Sequence, residues 1–191
     1  MSERPLAVFA YGSLVSRASA AATLGRDPGP LEPTVLRGWR RGFVQARHNP
    51  TCEKPFARPD GSLPEWVLSL GLEAAADGWA NGALIALEEA EADRLDLREL
   101  RYERRDVTDA VSAPRFERVY TYVARAENRA PEPPAGAVIL ASYAAVTEAA
   151  FTDLGPGELE RYRESTPMPA VEVVEGTLVG DAVPPGNPRE W

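Results

Sequence analysis

Residues 9–14 read FAYGSL, and residues 95–102 read LDLRELRY. The first segment predicts a buried strand that breaks at Gly12 and turns into the start of a helix, which gathers consecutive backbone N–H groups around an anion site. The second predicts a helix end that turns the carboxylate of Glu99 toward the interior. An anion-binding turn and an inward carboxylate suit proton transfer on a small, charged substrate.

Glu99 follows Ala92 and Leu95 at spacings of three and four residues, so the three share one face of a helix predicted from residue 88 to about residue 100. Because Leu95 is apolar, this face is expected to point into the core or a cleft. Burial disfavours the charged form of a carboxylate and makes it a competent base near neutral pH. The alternative is a helix-end glutamate in a surface ion pair with Arg98 or Arg101, and spacing alone does not decide.

Gly12 is expected to let a ligand approach the backbone closely and to relax a strained conformation. The alternative for the whole Tyr11–Leu14 segment is an ordinary tight turn that closes a strand. Tyr143 belongs to a predicted helix over residues 138–154, where its spacing to Val146 and Phe151 favours a core aromatic.

Composition narrows the function classes. The chain has 191 residues, of which 44% are hydrophobic, enough for one domain with a sizeable core. A net charge of −8 disfavours nucleic acid as a partner, and an anionic substrate needs a local positive feature. No apolar run approaches the length of a membrane helix, and the start lacks the apolar region of a secretory signal, so no membrane partner and a cytoplasmic location are expected.

The periodicities intermix strands and helices without a βαβ rhythm. We therefore expect an α+β fold, a single domain over residues 1–191 with a curled, mostly antiparallel β-sheet or small barrel, flanking helices and a proline-rich C-terminal extension at 166–191. The predicted strands cover 6–10, 34–47, 66–72, 83–87, 102–107, 116–123 and 171–179. The predicted helices cover residues up to 24 after a cap at Ser13 or Ser16, 88–98, 138–154 and 157–163, and a turn is predicted at Asp77–Gly78.

The sequence gives little support to a cysteine nucleophile, a metal site or a disulfide. Cys52 and His48 are the only pair that resembles a thiol nucleophile with its base, and Pro50 between them argues against a shared helix face. One cysteine and one histidine do not supply a typical zinc ligand set, so no metal site is expected. A single cysteine also excludes an internal disulfide.

The order of FAYGSL, the Gly38-Trp39 pair and the segment LDLRELRYERRDV from Leu95 to Val107 resembles the gamma-glutamylcyclotransferase-like family, and most closely a bacterial branch of it. The resemblance runs from about Val8 to Tyr143 and more weakly through Arg163. It implies a small curled or barrel-like sheet with flanking helices, in agreement with the predicted elements.

The resemblance also implies an activity. Members of the family cleave gamma-glutamyl amides: the substrate's own alpha-amine attacks its gamma-carbonyl, which gives 5-oxoproline and a free amine or amino acid without a cofactor. By resemblance, Glu99 is the catalytic carboxylate, Tyr11, Gly12, Ser13 and Leu14 form the substrate-binding turn, and Tyr143 lines the site. The implied partner is a small gamma-glutamyl molecule.

Two departures from the family pattern limit this transfer. Leu14 stands where some members have Asn, and the segment from Thr166 onward has no counterpart. Two competing classes therefore stay open: a non-catalytic protein that binds gamma-glutamyl or other small anions on the same fold, and a hydrolase that uses Cys52.

Overall fold

The computed structural model describes residues 6–113 and 115–188. Its strands are β1 (Leu6–Ala10), β2 (Glu32–His48), β3 (Phe56–Ala57), β4 (Trp66–Leu87), β5 (Tyr102–Asp106), β6 (Arg118–Ala124), β7 (Ala137–Leu140), β8 (Glu172–Val174) and β9 (Thr177–Leu178). Its helices are α1 (Arg17–Leu24), α2 (Glu89–Arg98), α3 (Ala141–Leu154) and α4 (Glu158–Ser165). In these parts of the chain, no helix is long and apolar enough to cross a membrane.

The main sheet is mixed and mostly antiparallel, and the predicted α+β class is confirmed. Its strands run in the order β5-β6-β1-β4-β7-β8, and β2 pairs with β4 in addition. One edge of β4 pairs with β7 at one end and with β1 at the other, while β2 follows it along most of its length. Two register shifts in the β2–β4 pair bend both strands, because a bulge increases local twist.

The predicted turn at Asp77–Gly78 is wrong, because β4 continues through it as one strand. Gly78 faces the register shift between Arg37 and Trp39 on β2. A Cβ atom at Gly78 would lie 2.8 Å from the carbonyl carbon and oxygen of Trp39. The glycine therefore permits close approach of two strands rather than a reversal of the chain.

Gly82 plays a similar part beside the first strand. A Cβ atom there would collide with the carbonyl oxygen of Ala10 and lie 2.8 Å from Cζ of Phe9. Because Ala10 ends β1, this contact fixes the point at which the chain leaves the sheet and enters the Tyr11–Leu14 turn.

The residues predicted to start and end α1 do so in the structure. Ser16 caps it by accepting a hydrogen bond from the N–H of Ser19 at 3.4 Å, and Gly25 ends it in a left-handed conformation. The predicted helix from residue 138 is wrong in its first turn, since residues 137–140 form β7. Val138 and Ile139 are almost fully buried and pair with β4, so burial in the sheet outweighs any helical spacing.

The helices pack on the sheet around one main core. Phe9, Leu36, Leu95, Ile139 and Phe151 are each at most 1% exposed within it. Strand β1, helix α2 and helix α3 contribute to this core, so their ends are held close to one another. The site described below lies at those ends.

The segment after residue 166 joins the fold in two places. Strand β8 pairs in parallel with β7, and β9 pairs with β3 in a separate two-stranded sheet. The single strand predicted over 171–179 is therefore two short strands. The outer limits of the predicted domain, residues 1 and 191, lie outside the described residues.

Candidate active site

The Tyr11–Leu14 turn connects β1 to a short 3-10 turn over Ser13–Val15. The carbonyl of Gly12 accepts from the N–H of Val15 at 2.9 Å, and the carbonyl of Ser13 accepts from Ser16 at 3.1 Å. None of the hydrogen bonds within residues 6–113 and 115–188 has the N–H of Gly12, Ser13 or Leu14 as its donor. These three donors are therefore available to an anionic group.

Tyr11 forms hydrogen bonds through both its phenol and its backbone carbonyl. Its phenol donates to the carbonyl of Tyr122 at 2.7 Å, and its own carbonyl accepts from Arg41 at 3.1 Å. Burial, and then the negative charge of Glu99, raise the pKa of Tyr11 well above its ordinary value. Tyr11 is thus a neutral, fixed residue that anchors the turn.

Glu99 caps the C-terminus of α2. Its N–H donates to Leu95 at 2.9 Å, and its carbonyl accepts from Tyr102 at 2.9 Å. Leu95 is 1% exposed, which turns this face of α2 into the core as the spacing predicts. The Glu99 side chain is 15% exposed and lies 3.3 Å from Nε of Arg98. Glu99 therefore has features of both predicted alternatives: its carboxylate faces inward, and it also forms an ion pair with Arg98.

Glu99 and the turn border the same small cavity of about 50 Å³. All six residues that the sequence predicts for the site line it: Tyr11, Gly12, Ser13, Leu14, Glu99 and Tyr143. The side chain of Leu14 is 8% exposed and belongs to the core, so this residue offers the site mainly its backbone. The chain thus brings a carboxylate and three backbone donors to one space.

Gly12 leaves space at the cavity wall. Its φ and ψ are both −136°, so it is not in the left-handed region, and the expectation that glycine relaxes the backbone here stays a prediction. A Cβ atom at Gly12 would lie 3.5 Å from Oη of Tyr143 and 3.7 Å from Cδ1 of Leu70, both ordinary contact distances. An added methyl group fits, whereas a branched side chain would extend into the cavity.

Tyr143 lies in the first turn of α3 and belongs to both the core and the cavity wall. Its hydroxyl accepts from the N–H of Leu70 at 3.3 Å, and its ring meets Phe43 edge to face at 6.4 Å between centroids. Burial is the main cause that raises the pKa of Tyr143. Its hydroxyl stays a neutral hydrogen-bonding group at the cavity wall.

Two further residues belong to the candidate site although the sequence patterns do not predict a role for them, and both lie in the LDLRELRY segment. Arg98 is 4% exposed and donates to Thr23 at 2.6 Å and to Ser13 at 3.3 Å. Tyr102 borders the cavity and donates to the carbonyl of Leu70 at 2.6 Å. Arg98 follows Leu95 by three residues, and this helical spacing was a signal that it shares the buried face.

Arg41 is a fully buried cation behind the turn. Its guanidinium lies 4.8 Å from the ring centroid of Phe151 and 4.4 Å from that of Tyr162. It donates to the carbonyls of Tyr11 and Asn81, and burial lowers the pKa of Arg41 to about 10. Its other hydrogen-bond partners are the Asn81 side chain, the Tyr162 carbonyl and the hydroxyls of Ser165 and Thr166. Arg41 thus fixes the turn to the C-terminal part of the fold.

A larger cleft of about 370 Å³ adjoins the small cavity, and Ser13, Glu99, Tyr102 and Tyr143 line both. The cleft extends toward β3 and β9, so the C-terminal segment contributes to its wall through Leu178. Glu99 therefore lies where two spaces meet.

Cys52 and His48 do not form a dyad in this structure. The thiol of Cys52 donates to the carbonyl of Asn49 at 3.2 Å, while Nδ1 of His48 bonds the hydroxyl of Thr51 at 2.8 Å. Neither residue lines the two cavities. In the part of the chain that the structure describes, no three His, Cys, Asp or Glu side chains cluster as a metal site.

Solved structures share this architecture. A gamma-glutamyl cyclotransferase matches at a TM-score of 0.60 with 14% identity, over 85% of this chain and 89% of that one. This chain has the gamma-glutamyl cyclotransferase fold. The uncharacterized protein loc79017 from Homo sapiens matches the same fold at a TM-score of 0.60 with 14% identity over 92% of each chain.

YkqA from Bacillus subtilis matches the gamma-glutamyl cyclotransferase fold of this chain at a TM-score of 0.57 and 18% identity. The match covers 85% of this chain but 54% of YkqA, so this chain spans about half the length of that protein. No protein-family model matches the chain, and no curated protein sequence matches it.

Proposed function

We propose that this chain is a gamma-glutamylcyclotransferase-type enzyme that converts a gamma-glutamyl amide or peptide to 5-oxoproline and a free amine or amino acid. The observation that carries the proposal is that the Glu99 carboxylate borders the same cavity as the backbone donors of Gly12, Ser13 and Leu14. The fold supports it, because a gamma-glutamyl cyclotransferase shares it over most of both chains.

Glu99 acts as general base and then as general acid. The substrate's alpha-ammonium gives a proton to Glu99, and the free amine attacks the gamma-carbonyl carbon to form the ring C–N bond. Glu99 then protonates the departing nitrogen as the original amide C–N bond breaks, and the ring nitrogen passes its second proton through solvent to the released amine. Acid–base help of this kind contributes about 10²- to 10⁴-fold in rate.

The turn binds the anionic parts of the substrate. The N–H groups of residues 12–14 hold either the alpha-carboxylate or the oxyanion that develops on the gamma-carbonyl, and both bind best to fixed dipoles. Because the nucleophile is part of the substrate, holding it in a ring-closing conformation is the main task. Well-oriented intramolecular reactions gain up to roughly 7–11 kcal/mol in this way.

The main alternative is a protein that binds gamma-glutamyl or other small anions without turnover. The inward position of Glu99 argues against a site for simple anions, because a carboxylate in the wall repels them. A gamma-glutamyl compound carries an alpha-ammonium that Glu99 attracts, so turnover is what separates a protein that only binds it from the enzyme. The hydrolase alternative depends on Cys52, whose thiol contacts a backbone carbonyl rather than a base.

Release of 5-oxoproline from a panel of gamma-glutamyl amino acids, gamma-glutamyl amines and glutathione tests the proposal. We expect release from at least one compound, unchanged after alkylation of Cys52. Binding without release from any compound would favour the non-catalytic alternative, and loss of release after alkylation would favour the hydrolase.

A further inference from the structure

The larger cleft is the place for the leaving group, if the proposed function holds. Glu99 must reach both the alpha-amine and the departing nitrogen, and it lies between the small cavity and the cleft. When the glutamyl part occupies the turn, the group on the other side of the scissile bond extends into the cleft. The chemistry of the cleft wall therefore selects the leaving group.

The cleft wall is cationic in an acidic protein. Among the described residues, its wall contains four cations and one carboxylate, Glu99, although the whole chain carries −8. The cations are Arg47, Lys54, Arg98 and Arg101. Arg98 pairs with Glu99, and Arg101 pairs with Glu53 at 2.8 Å. Such a concentration of one charge sign in a cleft attracts ligands of the opposite sign.

Lys54 is the only lysine of the chain and is 4% exposed. Its Nζ lies 3.4 Å from Oδ2 of Asp181, whose side chain is 56% exposed. A lysine is rarely this buried unless it is paired, and Asp181 provides that pair at the edge of the cleft. Arg47 lies beside it in the cleft wall, with its guanidinium 5.4 Å from the ring centroid of Phe56.

The rest of the wall is largely apolar. Phe56, Leu68 and Leu140 line it from the two sheets, while Val146 and Leu178 are 50% and 40% exposed. An aliphatic side chain of a ligand would remove this surface from water, and each buried methylene group contributes about 0.8 kcal/mol.

Gln45 gives a second, independent indication of a ligand. It lines the cleft, is 2% exposed, and within the described residues its Nε2 has no hydrogen-bond partner. Its Oε1 lies 3.5 Å from the hydroxyl of Tyr102, whose proton goes to Leu70 at 2.6 Å. In either orientation of the amide, one polar atom of Gln45 has no partner among the described residues, and a buried polar atom without a partner is costly.

We propose that this cleft selects a leaving group with its own carboxylate and a bulky apolar side chain. Among gamma-glutamyl amino acids, the cleft then prefers those with a bulky apolar side chain, such as gamma-glutamyl-leucine, over gamma-glutamyl-glycine. Gamma-glutamyl derivatives of cationic amines bind poorly, because four cations surround the position of their free ammonium. Arg47 and Lys54 contact the leaving-group carboxylate, and Gln45 contacts its polar backbone.

Four compounds separate the contributions of charge and apolar side chain: gamma-glutamyl-leucine, gamma-glutamyl-leucinamide, gamma-glutamyl-glycine and gamma-glutamyl-putrescine. We expect kcat/KM for the leucine compound to exceed that for its amide and that for the glycine compound by about tenfold each. The putrescine compound should be the poorest. Equal kcat/KM for the leucine acid and amide, or a preference for putrescine, overturns the inference.

Substitutions in the cleft wall test whether its cations cause the preference for the leucine acid over its amide. Arg47→Gln and Lys54→Gln should each lower the acid-to-amide ratio severalfold, while Arg47→Lys should keep most of it because it retains the charge. Arg118→Gln removes an exposed arginine on β6 and should leave the ratio unchanged. If one glutamine variant does not fold, the other decides, and a ratio unaffected by neutralisation overturns the assignment.

Failure of the proposed function has a different signature. If none of the four compounds releases 5-oxoproline, calorimetric titration of the wild-type chain with gamma-glutamyl-leucine and its amide separates the two ideas. Tighter binding of the acid supports the cleft assignment while it overturns catalysis. Binding of neither compound overturns both.

Discussion

The guanidinium of Arg98 contacts the carboxylate of Glu99, with Nε 3.3 Å from Oε1. The same guanidinium donates to the hydroxyls of Ser13 and Thr23 at 3.3 and 2.6 Å. One side chain therefore joins the Glu99 carboxylate, the Tyr11–Leu14 turn and helix α1. The distance between the proposed base and the proposed anion site therefore depends on the planar guanidinium of Arg98.

Arg98→Lys tests this positioning role. Lysine keeps the charge but presents a single flexible ammonium, which cannot reach the three groups at once. We expect kcat to fall roughly 10- to 100-fold, because small misplacements of reacting groups are costly. The free energy of unfolding should fall by only about 1–3 kcal/mol.

Arg94→Lys is the matched control, since Arg94 is an exposed arginine of the same helix. It should change neither kcat nor stability appreciably. A kcat for Arg98→Lys equal to that of this control would show that Glu99 is positioned without the guanidinium.

Glu99→Gln tests the carboxylate itself. Glutamine is nearly isosteric and can still form hydrogen bonds, but it cannot take up the ammonium proton. We expect kcat to fall by about 10²- to 10⁴-fold with little change in thermal stability. Glu103→Gln, which removes a carboxylate that pairs with Arg105 in β5, is the control. Near-normal turnover by Glu99→Gln would assign the base role to another group.

The sequence predicts those parts of the site that local patterns determine. A strand, a glycine and a serine cap suffice to place the Tyr11–Leu14 turn between β1 and α1. The spacing from Leu95 is enough to point Glu99 inward. Both inferences need only residues a few positions apart in the chain.

The rest depends on contacts that are distant in sequence. Asp77–Gly78 has the composition of a turn, and only the approach of Trp39 from β2 shows why the strand continues. Lys54 and Leu178 come together because β3 pairs with β9, more than a hundred residues later. No local pattern indicates that either residue lines the larger cleft.

Two substitutions at Gly12 distinguish a glycine that leaves room for the substrate from a glycine that only stabilises the fold. Gly12→Ala adds a methyl group at ordinary contact distance, 3.5 Å from the Tyr143 hydroxyl, and should retain most activity and stability. Gly12→Val adds two more methyl groups to a cavity of about 50 Å³ and should raise KM strongly or abolish turnover. Activity and thermal unfolding of both variants give the answer. If Gly12→Val melts early while its folded fraction works normally, the glycine is only architectural.

The lowered pKa of Glu91 predicts that the protein loses stability in acid. Burial raises its pKa, but hydrogen bonds from Arg26 at 2.7 Å and from the N–H of Glu88 at 2.8 Å lower it more, so the net shift is downward. A carboxyl with a lower pKa in the folded state stabilises the protein above its ordinary pKa of 4.5 and loses that contribution as pH falls through the folded-state pKa.

Glu91→Gln should therefore lower the free energy of unfolding at neutral pH and make it less sensitive to acid. Urea titrations of both proteins from neutral pH down into acid measure this, with Glu89→Gln, an exposed residue of the same turn, as the control. Parallel stability curves for Glu91→Gln and wild type would contradict the assignment.

Four of the six tyrosines should resist titration in alkali: Tyr11, Tyr122, Tyr143 and Tyr162. Burial is the first cause of the raised pKa in each. A phenol with a raised folded-state pKa stabilises the protein below its unfolded pKa of about 10 and loses that contribution as pH rises. We expect these phenols to ionise together with unfolding, measured by phenolate absorbance alongside circular dichroism. Tyr162→Phe should remove one phenol from this cooperative step. If Tyr162→Phe instead removes a phenol that ionises gradually before any loss of circular dichroism, hydroxide reaches Tyr162 in the folded state and burial does not protect this phenol.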